Sequence, residues 1–271
     1  MRRLLHLSDI HFGRARRELV GPLIETVNRL APDLVVISGD FTQRARHAQF
    51  ARARDFIDAL GPPVLGVPGN HDVQLYNLFN RFFRPWNRYR RYIDADLSPV
   101  WRDGAMTVVG VNTANPYVWQ SGRITARMTR RICETFDAGR GSRIRAVVLH
   151  HPLQQLPEDT KKPTRGAAEA MRALCACGVD LVLSGHLHTW RVAKFARRTE
   201  GREAIQIFAG TGLSNRLRGE ENDFNLLTFP DADTIRIERH VAGAGTTAFT
   251  PAARRAFSRI EGEWVEKPAG G

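Results

Sequence analysis

The chain has 271 residues, enough to bury one sizeable core, so we expect one main domain. Its apolar content of 42% and charged content of 25% are ordinary for a soluble globular protein, and no run of about 18 apolar residues predicts a membrane span. The basic start is followed by His6, Ser8 and Asp9, which leave no room for the apolar core of a signal peptide. We therefore expect a cytoplasmic protein.

The net charge is strongly positive, at +12, with 40 basic residues against 28 acidic ones. Four of the basic residues are lysines, so arginine supplies the other 36. Two explanations of this excess stay open. It can reflect a GC-rich genome, or a selected surface that attracts phosphorylated substrates, polyanions or an anionic membrane.

Apolar runs alternate with amphipathic stretches up to residue 183, which is typical of an α/β layered fold. In chain order we predict a strand at 3–7, a helix at 18–30, a strand at 34–38, a helix at 47–60, a strand at 64–67, an irregular aromatic stretch from 76 to 101, a strand at 107–111, a helix at 125–136, a strand at 144–149, a helix at 166–177 and a strand at 179–183. From 191 onward we predict strands alone, at 191–196, 204–208, 225–229 and 234–239. The prediction is a domain over residues 1–240, with 241–271 as a peripheral C-terminal appendage.

The three cysteines, Cys133, Cys175 and Cys177, form no even framework. Cys175 and Cys177 flank a single alanine, which is not the spacing of a redox or zinc motif. We expect buried free thiols in a reducing compartment.

Polar side chains follow five of the predicted strands, at the point where each strand ends. In chain order these motifs are Asp9-x-His11, Gly39-Asp40, Gly69-Asn70-His71-Asp72, His150 and Gly185-His186-x-His188. In α/β sheets, ligands bind outside the carboxyl ends of the strands, so these side chains can converge. The i, i+2 pairs can each point two side chains to one side of an extended segment. We expect the glycines at 39, 69 and 185 to permit sharp turns.

Carboxylate and amide oxygens mixed with imidazoles suit Mn, Fe or Zn, and the lack of thiolate argues against a structural zinc site. Each motif alone is weak, because Asp-x-His and Gly-Asp occur by chance and a histidine after a strand is often a core residue. All five in this order, each after a strand, favour a metal site.

The ordered motifs resemble those of the calcineurin-like metallophosphoesterase superfamily, which includes purple acid phosphatases and class III cyclic-nucleotide phosphodiesterases. The resemblance covers residues 4–239, and single-domain bacterial members are the most similar. It implies a four-layer αββα sandwich with two mixed β-sheets and a dinuclear metal site at the strand C-terminal ends. The stretch Phe41-Thr42-Gln43-Arg44 departs from the family, since many relatives carry another acidic residue or glycine there.

The resemblance also implies a ligand set for two divalent or mixed-valence ions. One ion would be held by Asp9, His11 and His188, Asp40 would bridge the two ions, and the second site would be completed by Asn70, His150 and His186. His151 is expected to support the loop instead.

Two metal ions can polarise a phosphoryl oxygen and activate a bridging water, so our hypothesis is that a metal-bridging hydroxide attacks phosphorus. His71 would stabilise the developing charge or protonate the leaving group, and Asp72 would orient His71. The alternative is that His71 is only a structural turn residue. A substrate phosphate could be reached by any of three arginines, namely Arg14, Arg44 and Arg123.

Segment 74–104 interleaves aromatic residues and arginines directly after the Gly-Asn-His-Asp motif. It could form a cap that stacks a base, grips extra phosphates or meets a lipid surface. The alternative is an amphipathic helix with core aromatics, because Leu78, Phe82 and Tyr89 recur at helical spacing.

The function that we predict first is hydrolysis of phosphodiester bonds in cyclic nucleotides or other small diesters. A diphosphatase for a nucleotide-linked lipid precursor is the second hypothesis, with segment 74–104 as an acyl-binding cap. A nuclease would use the positive field to follow a nucleic-acid backbone, but no second domain is evident to position a duplex. A non-catalytic scaffold is a further alternative.

The expected partner is a small phosphoester substrate; nucleic acid is not favoured, peripheral membrane contact is allowed, and the oligomeric state is not predicted.

Overall fold

The computed structural model describes residues 1–118, 120–138, 144–156, 159, 161–194 and 203–268. Within these residues the chain forms two β-sheets packed face to face, with helices on the outer face of each sheet. The predicted fold class, an α/β sandwich of four layers with two mixed sheets, is confirmed. None of the helices in the described ranges is both long enough and apolar enough to cross a bilayer.

The first sheet has seven strands among the described residues. In spatial order they are β13 (Glu263–Lys267), β12 (Thr250–Ile260), β11 (Thr234–Ala242), β10 (Asn222–Phe229), β1 (Arg2–Leu7), β2 (Leu34–Ile37) and β3 (Val64–Gly66). Strands β1, β2 and β3 are parallel, and β10 is antiparallel to β1. Helices α1 (Arg17–Leu30) and α2 (His47–Asp58) cover the outer face of this sheet.

The second sheet has six strands in the same described part of the chain. In spatial order they are β4 (Val100–Arg102), β5 (Met106–Val111), β6 (Ile144–Leu149), β7 (Leu181–Ser184), β9 (Ile205–Phe208) and β8 (Arg191–Lys194). Its four inner strands are parallel, and its two edge strands are antiparallel to their neighbours. Helices α5 (Ala126–Ala138) and α6 (Ala167–Ala176) cover its outer face.

Period-two alternation along buried strands produces the four layers. Leu4 of β1 lies between the two sheets, whereas Leu5 packs against α1 and α2. In β6, Val148 lies between the sheets and Val147 packs against α5 and α6. All four side chains are inaccessible to solvent, and burying each contributes about 1.5–3 kcal/mol.

Element boundaries agree closely with the sequence prediction up to residue 208. The four predicted helices and the strands predicted before β10 begin and end within two residues of the expected positions, except that residues 195 and 196 of the strand predicted at 191–196 lie outside the described residues. Strand β4 was not predicted, because it falls at the end of the stretch expected to be irregular. Strand β10 begins three residues before 225, and β11 continues three residues beyond 239.

The C-terminal segment 241–271, expected to be a peripheral appendage, requires a correction. Strand β12 pairs with β11, and β13 pairs with β12, at the edge of the first sheet. Phe257 and Trp264 are buried between the two sheets, and Trp264 Nε1 donates to Asp180 Oδ1 at 3.3 Å. These two strands therefore belong to the sheet and its core, and β11 runs through residue 240, where the sequence placed the end of the domain.

The expectation of three free thiols is wrong. Cys133 of α5 and Cys177, directly after α6, form a disulfide, with their Cα atoms 5.6 Å apart. Cys175 is free and half-buried. The two helices lie side by side on the second sheet and so bring together cysteines that are 44 residues apart.

Segment 74–104 contains two short helices, α3 (Leu78–Phe83) and α4 (Asn87–Tyr92), instead of one amphipathic helix. Tyr89 is buried against Phe41 and Phe50. Leu78 and Phe82, which share its helical spacing in the sequence, are 62% and 40% exposed. The helix with three core aromatic or apolar side chains is therefore ruled out, and the roles proposed for a cap stay open.

Replacing Trp264 tests whether the last two strands stabilise the fold. Trp264→Ala should lower the free energy of unfolding by about 3–5 kcal/mol, because it empties a fully buried position between the sheets. Urea unfolding measures the change. The control is Ile260→Ala on β12, where the side chain is 44% exposed and the change should stay within about 1 kcal/mol. Equal stability of Trp264→Ala and the wild type would contradict the prediction.

Candidate metal centre

The C-terminal ends of strands from both sheets meet at one place. The loops after β1, β2 and β3 of the first sheet, and after β6 and β7 of the second, carry the seven predicted ligands. Their side chains are buried or half-buried. Six of them lie in overlapping clusters of ligating atoms, and the amide of the seventh, Asn70, lies against His150. We describe them as two groups.

The first group consists of Asp9, His11 and His188. Asp9 Oδ1 lies 3.0 Å from His188 Nε2 and 3.4 Å from His11 Nε2. The two Nε2 atoms lie 3.4 Å from each other. These three atoms therefore lie close enough together to face one common centre.

The second group is built around His150. Its Nε2 atom lies 3.2 Å from Asn70 Oδ1, 3.2 Å from His186 Nδ1 and 3.4 Å from Asp40 Oδ2. The same Asp40 oxygen lies 3.6 Å from His11 Nε2 of the first group. Asp40 is therefore placed between the two groups, where a bridging ligand would be.

The chemistry of these atoms fits metal ions. Asp9 Oδ1 is buried and accepts no hydrogen bond within the described residues. Ligands bonded to one ion at about 2.0–2.2 Å lie roughly 3–3.5 Å apart, which matches the distances in both groups. Buried acceptor atoms this close together are costly unless a cation lies among them. The assignment of all seven residues as ligands stays a prediction that this geometry supports.

Backbone carbonyls orient two of the imidazoles. His150 Nδ1 donates to Ser38 O at 2.8 Å, and His188 Nδ1 donates to Arg216 O at 3.0 Å. Each hydrogen bond places the proton on Nδ1 and leaves Nε2 facing the group, which is how outer partners commonly fix a metal-binding histidine.

Hydrogen bonds also hold the two carboxylates. Asp9 Oδ2 accepts from Ser8 Oγ at 2.6 Å and from the His186 N–H at 2.9 Å, and Asp40 Oδ1 accepts from the His71 N–H at 2.8 Å. Each carboxylate thus keeps its second oxygen for the metal centre.

The backbone at the centre is strained. Five of the predicted ligands have φ between 50° and 72°, in the left-handed region that non-glycine residues rarely adopt, and these are Asp9, His11, Asp40, His186 and His188. Each such residue costs of order 1–3 kcal/mol, and this strain clusters at functional sites. The surrounding hydrogen bonds hold these residues in place against that cost.

The three glycines do not all serve as turns. Gly39 has φ of +94° and confirms the expectation. Gly69 has φ of −100°, and Gly185 is not among the positive-φ residues. A Cβ on Gly69 would collide with Asp40, and a Cβ on Gly185 would collide with Ser8. At these two positions glycine is needed for close approach of the neighbouring loop.

Charges within the centre favour ionised carboxylates. Burial alone would raise the pKa of Asp9, but the charge of His188 and hydrogen bonds hold it well below its usual range. Burial likewise opposes ionisation of Asp40, and His150 outweighs it and lowers the pKa. Burial lowers the pKa of His150, but Asp40 prevails and raises it to about 9. The two carboxylates therefore attract positive charge to this place.

His71 lies at the edge of the centre, with its ring against that of His11 at 4.9 Å between centroids. Its Nδ1 donates to Gln43 O at 2.9 Å, so its Nε2 accepts from Arg216 Nη1 at 3.2 Å. Burial lowers the pKa of His71 to about 4, despite the charge of Asp40. The ring is therefore neutral at pH 7, with its proton on Nδ1.

The prediction that Asp72 orients His71 is wrong. The Asp72 carboxylate accepts from the N–H groups of Phe41, Thr42 and Gly69 at 2.9–3.2 Å, and from Thr42 Oγ1 at 3.0 Å. It therefore ties together the loops after β2 and β3. The ring of His71 is oriented by the Gln43 carbonyl, so the stretch that departs from the family pattern supplies this contact.

The three predicted substrate arginines differ in position. Arg44 Nη1 lies 3.5 Å from His71 Nδ1, so its guanidinium is beside the centre. Arg14 is exposed, and its backbone N–H donates to His11 O at 2.8 Å. Arg123 is exposed and pairs through its backbone with Arg165. Among the residues the structure describes, neither Arg14 nor Arg123 has a side-chain contact to the predicted ligands.

His151 does more than the expected support of a loop. It forms a hydrogen bond with Thr113 Oγ1 through Nδ1 at 2.9 Å, as a supporting residue would. Its ring also lies with His150 and His186 in a group whose ligating atoms are all within 4.8 Å of one another. The structure thus brings a further imidazole to the second group.

Two cations near the centre carried no signal in the sequence, because neither belongs to a motif. Lys161 Nζ donates to the His186 carbonyl, and burial lowers the pKa of Lys161 to about 8, against the raising effect of Asp9. Arg216 contacts His71 through its side chain and His188 through its carbonyl. Only the fold brings these residues to the centre.

His150 is the predicted ligand at the middle of the second group, so its removal tests the centre. His150→Ala should weaken Mn²⁺ binding by at least the roughly 10–100-fold that loss of an outer partner costs. Isothermal titration calorimetry measures the affinity. The control is His240→Ala, which removes a buried histidine stacked on Phe224 away from the centre and should leave binding unchanged. Wild-type Mn²⁺ affinity in His150→Ala would contradict the assignment.

Comparisons with known proteins agree with this geometry. A family model described as calcineurin-like phosphoesterase matches residues 2–190. A glycerophosphodiester phosphodiesterase, GpdQ, of Enterobacter lignolyticus is 34% identical over 223 residues, covering 72% of this chain and 74% of that protein. A probable cyclic nucleotide phosphodiesterase of Synechococcus is 28% identical over 166 residues, covering 58% of each protein.

Among solved structures, the purple acid phosphatase PPD1 of yellow lupin (Lupinus luteus) superposes with a TM-score of 0.67 at 13% identity, covering 96% of this chain and 54% of that one. At this identity the likeness shows the fold alone. The family match extends over more than half of the chain and includes all the predicted ligands. The chain therefore belongs to the calcineurin-like phosphoesterase family, and it is a metal-dependent phosphoesterase.

Proposed function

We propose that the protein hydrolyses small phosphodiesters at a centre of two divalent or mixed-valence metal ions, with Mn, Fe or Zn as the ions. The observation that carries the proposal is the position of Asp40 Oδ2, which lies 3.4 Å from His150 Nε2 and 3.6 Å from His11 Nε2. A carboxylate oxygen between two sets of nitrogen and oxygen atoms is the arrangement that a pair of ions requires. The names of the two relatives, a glycerophosphodiester phosphodiesterase and a cyclic nucleotide phosphodiesterase, favour a diester substrate.

When bound, such ions would polarise a phosphoryl oxygen and lower the pKa of a water that attacks phosphorus. The chain itself fixes the ligands through Ser38 O, Arg216 O and Ser8 Oγ, so little rearrangement is needed when a substrate arrives.

His71 is proposed to stabilise the charge that develops on the substrate or to protonate the leaving oxygen. Its proton lies on Nδ1, where it bonds to Gln43 O, and Nε2 accepts from Arg216. Protonating a leaving group from Nε2 would therefore require an imidazolium. Direct stabilisation of negative charge would require the same extra proton, so in the neutral form His71 acts on the substrate through the guanidinium of Arg216.

A diphosphatase for a nucleotide-linked lipid is the second candidate, because an exposed aromatic surface lies beside the centre. Asn70, His71 and Arg81 line one cavity, and Arg81 is part of α3. Large side chains around α3 are 61–73% exposed, namely Tyr76, Leu78, Phe79, Phe83 and Tyr117. An acyl chain could rest on them, and so could the surface of a membrane.

The remaining hypotheses have less support. A nuclease is not favoured, since the described residues form one sandwich without a further unit to position a duplex. A scaffold without activity would not require the buried acceptor atoms at the centre. A cytoplasmic location remains part of the proposal, and nucleic acid stays a partner that is allowed but not favoured.

Hydrolysis of a chromogenic phosphodiester by the Mn²⁺-loaded protein tests the proposal. Activity should be lost with a chelator, and Asp40→Asn should lower kcat/KM by at least about 100-fold, since loss of the bridging charge costs several kcal/mol of stabilisation. The control is Asp58→Asn, which removes an exposed surface ion pair with Arg54 and should change little. Activity that survives both chelation and Asp40→Asn would contradict a metal-dependent reaction.

Competition by a cyclic nucleotide or by a nucleotide-diphospho lipid then separates the two candidate substrates.

Removal of the His71 side chain tests its role separately from metal binding. His71→Ala should keep its Mn²⁺ content and lose roughly 100-fold or more in kcat on the chromogenic diester, as expected for a group acting in the transition state. Metal content and steady-state kinetics are measured on the same preparation. Wild-type turnover with full metal content would leave His71 as a structural turn residue only.

A further inference from the structure

The loop of residues 209–221, between β9 and β10, is held firmly against the metal centre. The Arg16 N–H donates to Leu213 O at 2.8 Å, and the Asn215 N–H donates to Arg14 O at 2.9 Å. These contacts bind the loop to the segment that directly follows His11. The position of the loop is therefore set by the same strand end that supplies the first group of predicted ligands.

Arg216 of this loop reaches both sides of the centre. Its N–H donates to Ser214 Oγ at 3.1 Å, and its carbonyl accepts from His188 Nδ1 at 3.0 Å, so its backbone is fixed beside a predicted ligand. Its Nη1 donates to His71 Nε2 at 3.2 Å. The guanidinium is thus held at the edge of the centre, beside His71.

The guanidinium of Arg216 keeps most of its donors unused. It carries five N–H groups, and one of them serves His71. Among the residues that the structure describes, no carboxylate forms an ion pair with it. A planar guanidinium that is held in place without a counterion matches the paired oxygens of a phosphate group.

The neighbouring cationic side chains make different contacts from those of Arg216. Arg44 Nη1 donates to its neighbour's carbonyl, Gln43 O, at 3.3 Å, and Lys161 Nζ donates to His186 O. Arg218 is exposed, and no hydrogen bond or ion pair of its side chain is found in the described parts of the chain. Arg216 is the cation that contacts both a predicted ligand and His71.

We propose that Arg216 binds a non-bridging oxygen of the substrate's phosphoryl group, and that His71 positions its guanidinium for this contact. The proposal rests on the proposed function, because it assigns a residue to the same site. It explains why the proton of His71 is directed to Gln43: an unprotonated Nε2 is what Arg216 needs as an acceptor. Arg216 is then a substrate-binding residue, and His71 is a positioning residue as well.

The test is the affinity of the Mn²⁺-loaded protein for inorganic phosphate, measured by isothermal titration calorimetry together with metal content. Arg216→Met keeps the length of the side chain without its charge, and it should weaken phosphate binding by about 10- to 100-fold, as loss of a charge-assisted hydrogen bond does. Its Mn²⁺ content should stay that of the wild type, because the carbonyl, not the side chain, contacts His188. Arg216→Lys keeps the charge but not the planar guanidinium, so its phosphate affinity should lie between that of the wild type and that of Arg216→Met.

The matched control is Arg218→Met in the same loop, which removes an equal charge and should change phosphate affinity no more than about twofold. Wild-type phosphate affinity in Arg216→Met would overturn the proposal. So would an equal loss in Arg218→Met, which would indicate the general positive field, or a loss of Mn²⁺ in Arg216→Met, which would indicate a role in metal binding. Phosphate binding does not require turnover, so this result stands apart from whether diesters are hydrolysed.

Discussion

Two buried carboxylates among buried imidazoles are the constraint on which the rest of the structure depends. Asp9 Oδ1 and Asp40 Oδ2 face nitrogen atoms of His11, His150 and His188 at 3.0–3.6 Å. In a medium of low dielectric, such acceptor atoms destabilise the fold unless positive charge lies among them. The strained backbone at five of the predicted ligands fits the same constraint, since each side chain must turn out of its strand toward one point.

The sandwich makes this convergence feasible because both sheets end at the same side. Parallel strands β1, β2 and β3 supply one set of loops, and β6 and β7 supply the other. The apolar layer between the sheets sets the spacing of these loops, and strands β12 and β13 add Phe257 and Trp264 to it. Apolar residues remote from the metal centre thus influence the distances between the predicted ligands.

The same loops provide more than ligands. Asp72 joins the loops after β2 and β3, the Gln43 carbonyl fixes His71, and the carbonyl of Arg216 fixes His188. A hydrogen-bonded shell of this kind holds an active site ready before a substrate binds. It also brings Arg216 to His71, so the shell itself can contribute to substrate binding.

The α/β order of elements could be predicted from the sequence, and so could the seven candidate ligands, because each of these residues directly follows an apolar strand or lies in a short motif. Their role as ligands stays a prediction. It did not reveal the disulfide, the true partners of Asp72, or the two strands at the edge of the first sheet. The contact between Arg216 and His71, which are 145 residues apart in the chain, became visible in the folded structure alone. The pattern of apolar and polar residues within a segment indicates its secondary structure and which face it buries. Contacts between distant loops depend instead on how the two sheets pack.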